Sequence, residues 1–122
     1  MAEFAQFVVP TPDSDRSFRL SPSVGNSRDF FFDLLNLDTT RTVIIFFKVG
    51  MSPDGHLFMD INDVGLPQID LAMDPPQGLH ALRSWHEIVN GLTASNNRLR
   101  VIAQEGEVIL SDILFLYHAK TD

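Results

Sequence analysis

The chain has 122 residues, 44% of them hydrophobic, with 9 Lys and Arg against 16 Asp and Glu and a formal net charge of −7. Its only lysines are Lys48 and Lys120, too little material for the basic face that binding along a phosphate backbone requires, so no nucleic-acid partner is expected. The absence of cysteine removes disulfides, thiolate metal sites and thiol nucleophiles, and no apolar run reaches the ~18 residues of a membrane span.

Residues 1–4 lack the basic and long apolar regions of a signal peptide and could be a cloning junction, so the chain reads as soluble with its localisation open. Residues 3–9 predict a short apolar strand that ends at Pro10, and residues 10–15 carry the Pro, Thr, Ser and Asp of a loop. A second short strand is expected at residues 17–20, before a Pro/Gly/Ser loop at residues 21–26. Residues 29–37 are too short for periodicity to separate strand from buried helix, and the run Phe30, Phe31, Phe32 favours strand. Residues 42–49, TVIIFFKV, are β-branched and aromatic and bounded by turn formers, the pattern of a strand buried on both faces.

Ser52-Pro53-Asp54-Gly55 is a hairpin turn by its chemistry, with Pro presetting φ at the second position and Gly supplying a positive φ at the fourth. Residues 56–62 then alternate, Leu57, Met59 and Ile61 on one face and His56, Phe58, Asp60 and Asn62 on the other. Past the turn Asp63-Val64-Gly65, residues 66–73 predict a strand that Pro67 assigns to a sheet edge, followed by a loop at residues 74–78. Residues 79–89 are ambiguous. Leu79, Leu82, Arg83, His86 and Val89 fit a helical stripe, whereas Trp85, Ile88 and Val89 suit a strand, which is preferred because the neighbours are strands. Residues 98–104 and 107–118 predict two strands joined by a tight Glu105-Gly106 hairpin.

Turn signals recurring roughly every 8–12 residues, with short strands between, indicate an all-β antiparallel sandwich or barrel of about eight strands with at most one short helix. A chain of this length buries enough surface for a single domain spanning residues 1–122.

The negative charge is local: Asp54, Asp60, Asp63, Asp70 and Asp74 fall within residues 54–74, where there is no Lys or Arg. As structure this is a solvated edge that blunts strand pairing. As chemistry, Asp60 and Asp63 could lend oxygen ligands to calcium, the one cofactor under consideration. Residues 60–65 begin like an EF-hand loop, but Val64 and Leu71 stand where that loop needs oxygen donors. His86-Glu87-Ile88-Val89-Asn90 begins like a zinc-protease motif, but Asn90 replaces the second histidine. With no phosphate loop and no nucleophile elbow, the chain reads as a non-enzyme. Of the aromatics, the ten Phe are core material, whereas Trp85 and Tyr117 carry a polar handle. Each is either a core anchor or a platform on which a sugar ring stacks, with Asn62 and Asp63 offered as partners for the hydroxyls.

The succession Trp85, Gly91-Leu92, Asn96-Asn97-Arg98-Leu99, Glu105-Gly106 and Val108-Ile109-Leu110-Ser111-Asp112-Ile113 resembles the ending of galactose-binding-like jelly-roll sandwiches, which include many carbohydrate-binding modules. The stretch FFKVGMSPDGHLFMDINDVGL is similar to their central hairpin. The resemblance implies a jelly-roll sandwich that binds a carbohydrate or other polar small ligand through loops or one sheet face. The alternative is a structural module that forms a homo-oligomer or docks on a partner protein, since 44% hydrophobic content with ten Phe could leave an apolar patch outside the core.

Overall fold

A computed structural model of the chain describes residues 4–65, 71–72 and 78–120, with side chains for residues 6–65 and 82–120. The first sheet contains β1 (Phe4–Val8), β2 (Ser17–Leu20), β4 (Val43–Met51), β8 (Gly78–Val89) and β10 (Val108–Ala119). Its order is β1-β10-β4-β8, with β2 also paired to β10. The second contains β3 (Ser27–Phe32), β5 (His56–Ile61), β6 (Val64–Gly65), β7 (Leu71–Ala72) and β9 (Asn97–Glu105). Its order is β3-β9-β5-β6, with β7 also on β5. All the pairings are antiparallel, and the chain passes repeatedly from one sheet to the other. The result is an all-β antiparallel sandwich of the jelly-roll type. A single 3-10 turn at Asp13–Asp15 is the one helical element among the described residues, none of which forms a helix long and apolar enough to cross a membrane.

Side-chain alternation builds the core. Leu57, Met59 and Ile61 of β5 and Leu99, Val101 and Ala103 of β9 face inward from the second sheet, against Ile113, Phe115 and Tyr117 of β10 and Ile45, Phe47 and Val49 of β4. Phe32 stacks on Phe115 at 4.5 Å between centroids and joins the two layers. Each such side chain contributes about 1.5–3 kcal/mol through the apolar area it withdraws from water.

The structure departs from the sequence reading at several points. The described residues form ten strands where about eight were expected; β6, at Val64–Gly65, was read as part of a turn because two residues are too few to leave a periodic signal. Within residues 29–37 the strand stops at Phe32, and the chain then turns, with Leu37 N–H donating to Leu34 O at 3.1 Å and Asn36 at φ 59°. Leu34 and Leu37 still plug the core, which is why they looked like strand residues. Residues 79–89 are strand, as preferred. Of the strand expected over residues 66–73 only Leu71–Ala72 is seen, and Pro67, Asp70 and Asp74 lie outside the described residues.

Gly55 closes the expected turn, donating its N–H to Ser52 O at 2.8 Å, but it does so without a positive φ. Its reason is space: a Cβ there would lie 2.7 Å from Met51 Cβ and 2.9 Å from Glu107 O. The 52–55 turn is pressed against the 105–107 hairpin, with Ser52 N–H donating to Glu107 O at 3.0 Å and Glu107 N–H to Ser52 Oγ at 2.9 Å.

Strand β4 is fully buried on one face only. Val43, Ile45, Phe47 and Val49 are sealed, whereas Ile44 and Phe46 are half-buried and Lys48 is exposed. The apolar character that suggested burial on both sides instead makes an outward sheet surface.

Candidate functional site

Register assembles that surface row by row. Phe7 of β1 lies opposite Leu116 of β10, Leu116 opposite Ile44 of β4, and Ile44 opposite Ile88 of β8. The next row sets Leu114 beside Phe46 and Phe46 beside His86, whose rings are 5.7 Å apart at 30°. The third places Lys48 beside Ser84. Residues directly opposite in an antiparallel ladder share a face, so the rows form one continuous patch. Phe7 and Ile88 remain 67% and 60% exposed, more than strand residues on a closed apolar layer would be.

A bulge gives the patch its polar end. Pairing of β10 with β4 slips between Ser111 and Leu114, and Asp112 takes φ 54°, a left-handed conformation in which Asp is tolerated. The bulge is tied from behind, where Asp112 N–H donates to Arg16 O at 2.9 Å. Asp112 Oδ2 thereby comes within 3.5 Å of Lys48 Nζ, and both side chains stay about half exposed. Phe7, Phe46, Lys48, Ser84, Trp85 and Asp112, with Leu114 and Leu116, border a depression of about 590 Å³. It offers an apolar floor with an ammonium, a carboxylate and a hydroxyl at its rim, the combination that fixes an amphipathic small ligand.

The residues singled out from sequence are scattered over the molecule. Trp85 is, with Phe47, among the residues that border this depression, but it alternates with the outward Ser84 and His86, so its side chain lies on the inward face, half-buried against the core, and its Nε1–H donates to Glu87 Oε1 at 3.1 Å. Tyr117 is sealed between the sheets at 1% exposure, its hydroxyl placed between Gln6 Oε1 at 3.2 Å and Leu35 O at 3.1 Å. No face of that ring is open to a sugar, so Tyr117 acts as a core anchor.

Asn62 and Asp63 sit at the far end of the second sheet, both at positive φ. Asn62 is occupied by structure: its Nδ2 donates to Gly91 O and Asn97 Oδ1, and its Oδ1 accepts from Arg98 N–H at 2.8 Å. Asp63 is bonded to Arg98, whose guanidinium also lies 3.7 Å from Asp60. The two carboxylates considered for calcium therefore share one guanidinium. Among the described residues no three of His, Cys, Asp and Glu are grouped to hold a metal ion. Beside them Arg100 donates to Asp29 at 3.0 Å, and that bond and charge raise its pKa above the ordinary arginine value.

Sequence reasoning missed Phe7, Phe46, Lys48, Ser84 and Asp112. A signal existed in residues 42–49, where Ile44, Phe46 and Lys48 alternate with the core positions and end on a charge that a doubly buried strand would not carry.

No family model matches the chain, and no curated protein does either. Solved structures do resemble it. The C-terminal CBM6 of LamC, a marine laminarinase from Zobellia galactanivorans, superposes with a TM-score of 0.52 at 10% identity over 83% of this chain and 98% of that one. Dimeric latent PorU from Porphyromonas gingivalis matches with a TM-score of 0.56 at 11% identity over 97% of this chain, which corresponds to 13% of PorU. With two antiparallel sheets around one core, the chain has the β-sandwich fold seen in a carbohydrate-binding module.

Proposed function

We propose that this protein is a non-catalytic binding module that takes a carbohydrate, or a polar ligand of similar build, on the outer face of its first sheet. The observation that carries this reading is the depression floored by Phe46 and bordered by Phe7, with Lys48, Asp112 and Ser84 at its rim. A pyranose ring has an apolar C–H face that lies against aromatic carbon, and hydroxyls at its edge that need charged or hydroxylic partners. The likeness in fold to a carbohydrate-binding module supports the same reading.

The test is a glycan array followed by titration of the hits, with emission of Trp85, the single tryptophan, as the reporter. Binding is expected to change that emission, and Lys48→Ala or Phe7→Ala to weaken binding by about tenfold or more, the equivalent of one good contact. A folded protein that is silent across the array removes the proposal. A second reading, assembly of copies of the chain, is favoured by one specific feature of strand β8.

A further inference from the structure

Strand β8 runs for twelve residues, Gly78–Val89, and among the described residues it pairs with β4 alone, so no described strand takes up the backbone N–H and C=O groups of its other edge. Edges of this kind are normally short, broken by proline or guarded by charge. This one is long and contains no proline, and its two charged residues, Arg83 and Glu87, are of opposite sign, so that they guard the edge against other strands but not against a copy of itself.

The sequence of the strand is self-complementary. Arg83, Trp85 and Glu87 share the inward face, opposite Val49, Phe47 and Ile45, whereas Leu82, Ser84, His86 and Ile88 lie on the outward face. Two copies joined edge to edge about a two-fold axis pair antiparallel, and each residue must face one from the same side of its own strand. With the axis at Trp85, Arg83 falls opposite Glu87 of the second copy and Glu87 opposite its Arg83. Leu82 meets Ile88 twice, and the two Trp85 side chains are adjacent. A shift of two residues either way loses both charge pairings: Arg83 then faces Trp85 or Val89.

We infer that the chain forms a two-fold dimer through β8, with a second copy of itself as the occupant of the edge and Trp85 on the axis. The first sheets of the two copies become one continuous sheet, and the ligand-binding patches lie side by side on its outer face. The inference does not depend on the ligand, because its test reads mass and not binding.

The experiment is sedimentation equilibrium of the full chain over a range of concentrations, on wild type, Arg83→Glu, Glu87→Arg and the double exchange. The wild type is expected to be a dimer. Arg83→Glu places two pairs of like charges across the axis, and on the order of 100-fold weaker association is expected, as for two ion pairs reversed. The double exchange restores opposite charges and is expected to restore the dimer. Circular dichroism of each variant shows that it remains folded, and the restored dimer also answers any loss through misfolding. A wild type that is monomeric at every concentration overturns the inference, as does a dimer indifferent to Arg83→Glu or a double exchange that stays as weak as the folded single variants.

Discussion

Asn62 and Asn97 are 35 positions apart in the chain and meet through a hydrogen bond of 3.1 Å from Asn62 Nδ2 to Asn97 Oδ1. Asn97 has no exposed surface; its Oδ1 also accepts from Thr93 N–H at 2.9 Å and its Nδ2 donates to Thr93 O at 2.7 Å. The pair clamps the loop that leaves β8 onto the end of β5, fixing where the second sheet begins relative to the first.

Asn97→Ala leaves the backbone groups of Thr93 and the amide of Asn62 without their buried partner. Such an orphaned network costs about 2–4 kcal/mol. The expected result is a lower urea midpoint at unchanged slope. Ser95→Ala in the same loop, where only the backbone carbonyl is used, should stay within about 0.5 kcal/mol of wild type.

Gly55→Ala tests the docking of the two hairpins. A methyl at 2.7 Å from Met51 Cβ and 2.9 Å from a backbone carbonyl meets atoms that cannot swing aside. Overpacking of this kind costs about 1–3 kcal/mol. Thermal melting should show the loss. A variant as stable as wild type would mean that the turns are not pressed together.

The fold was legible in the sequence because its cause is local. Period-two alternation in residues 56–62 and 98–104 and the spacing of turns follow from which side chains must leave water, and each can be read within a few residues. The candidate site was not, because it depends on register. Nothing near Phe7 in the sequence says that it will lie opposite Leu116, or that Ile44 will place Ile88 in the same row. The burial of Tyr117 likewise depends on which face of β10 meets the second sheet, set by the bulge at Asp112. Asn62 and Asp63 stand in the sequence as candidate partners for ligand hydroxyls because the groups that engage them, Gly91, Asn97 and Arg98, are remote in the chain.

Asp63 is hydrogen-bonded to Arg98 and Asp60 lies 3.7 Å from the same guanidinium, so calcium drawn to the two carboxylates together would have to displace a cation already between them. The melting temperature is therefore expected to be the same in calcium and in EDTA. A ligand present at 100 times its dissociation constant would add about 2.7 kcal/mol, readily visible in a melt, so a rise with calcium would place a metal at this turn. Arg98→Ala is the companion measurement. It frees both carboxylates, and any calcium response should appear only in that variant.

Tyr117 predicts a change of stability in alkali. Burial between the sheets raises its pKa above the ordinary phenol value, because the phenolate would lose its hydration. The unfolded chain releases this proton near pH 10, whereas the folded chain retains it. Stability from this group is thus fully present below about pH 10 and falls as pH rises toward the higher folded value, since unfolding then releases a proton. Tyr117→Phe should remove that part of the alkaline decline. It should also cost about 1 kcal/mol at neutral pH, because the hydroxyl no longer bonds Leu35 O and Gln6. The chain contains one tyrosine, so the ultraviolet absorbance of tyrosinate reports this group alone. Titration of the native protein should therefore run to higher pH than titration in urea. Coincident curves would show that the ring is open to solvent, and would return Tyr117 to the surface as a platform for a ligand.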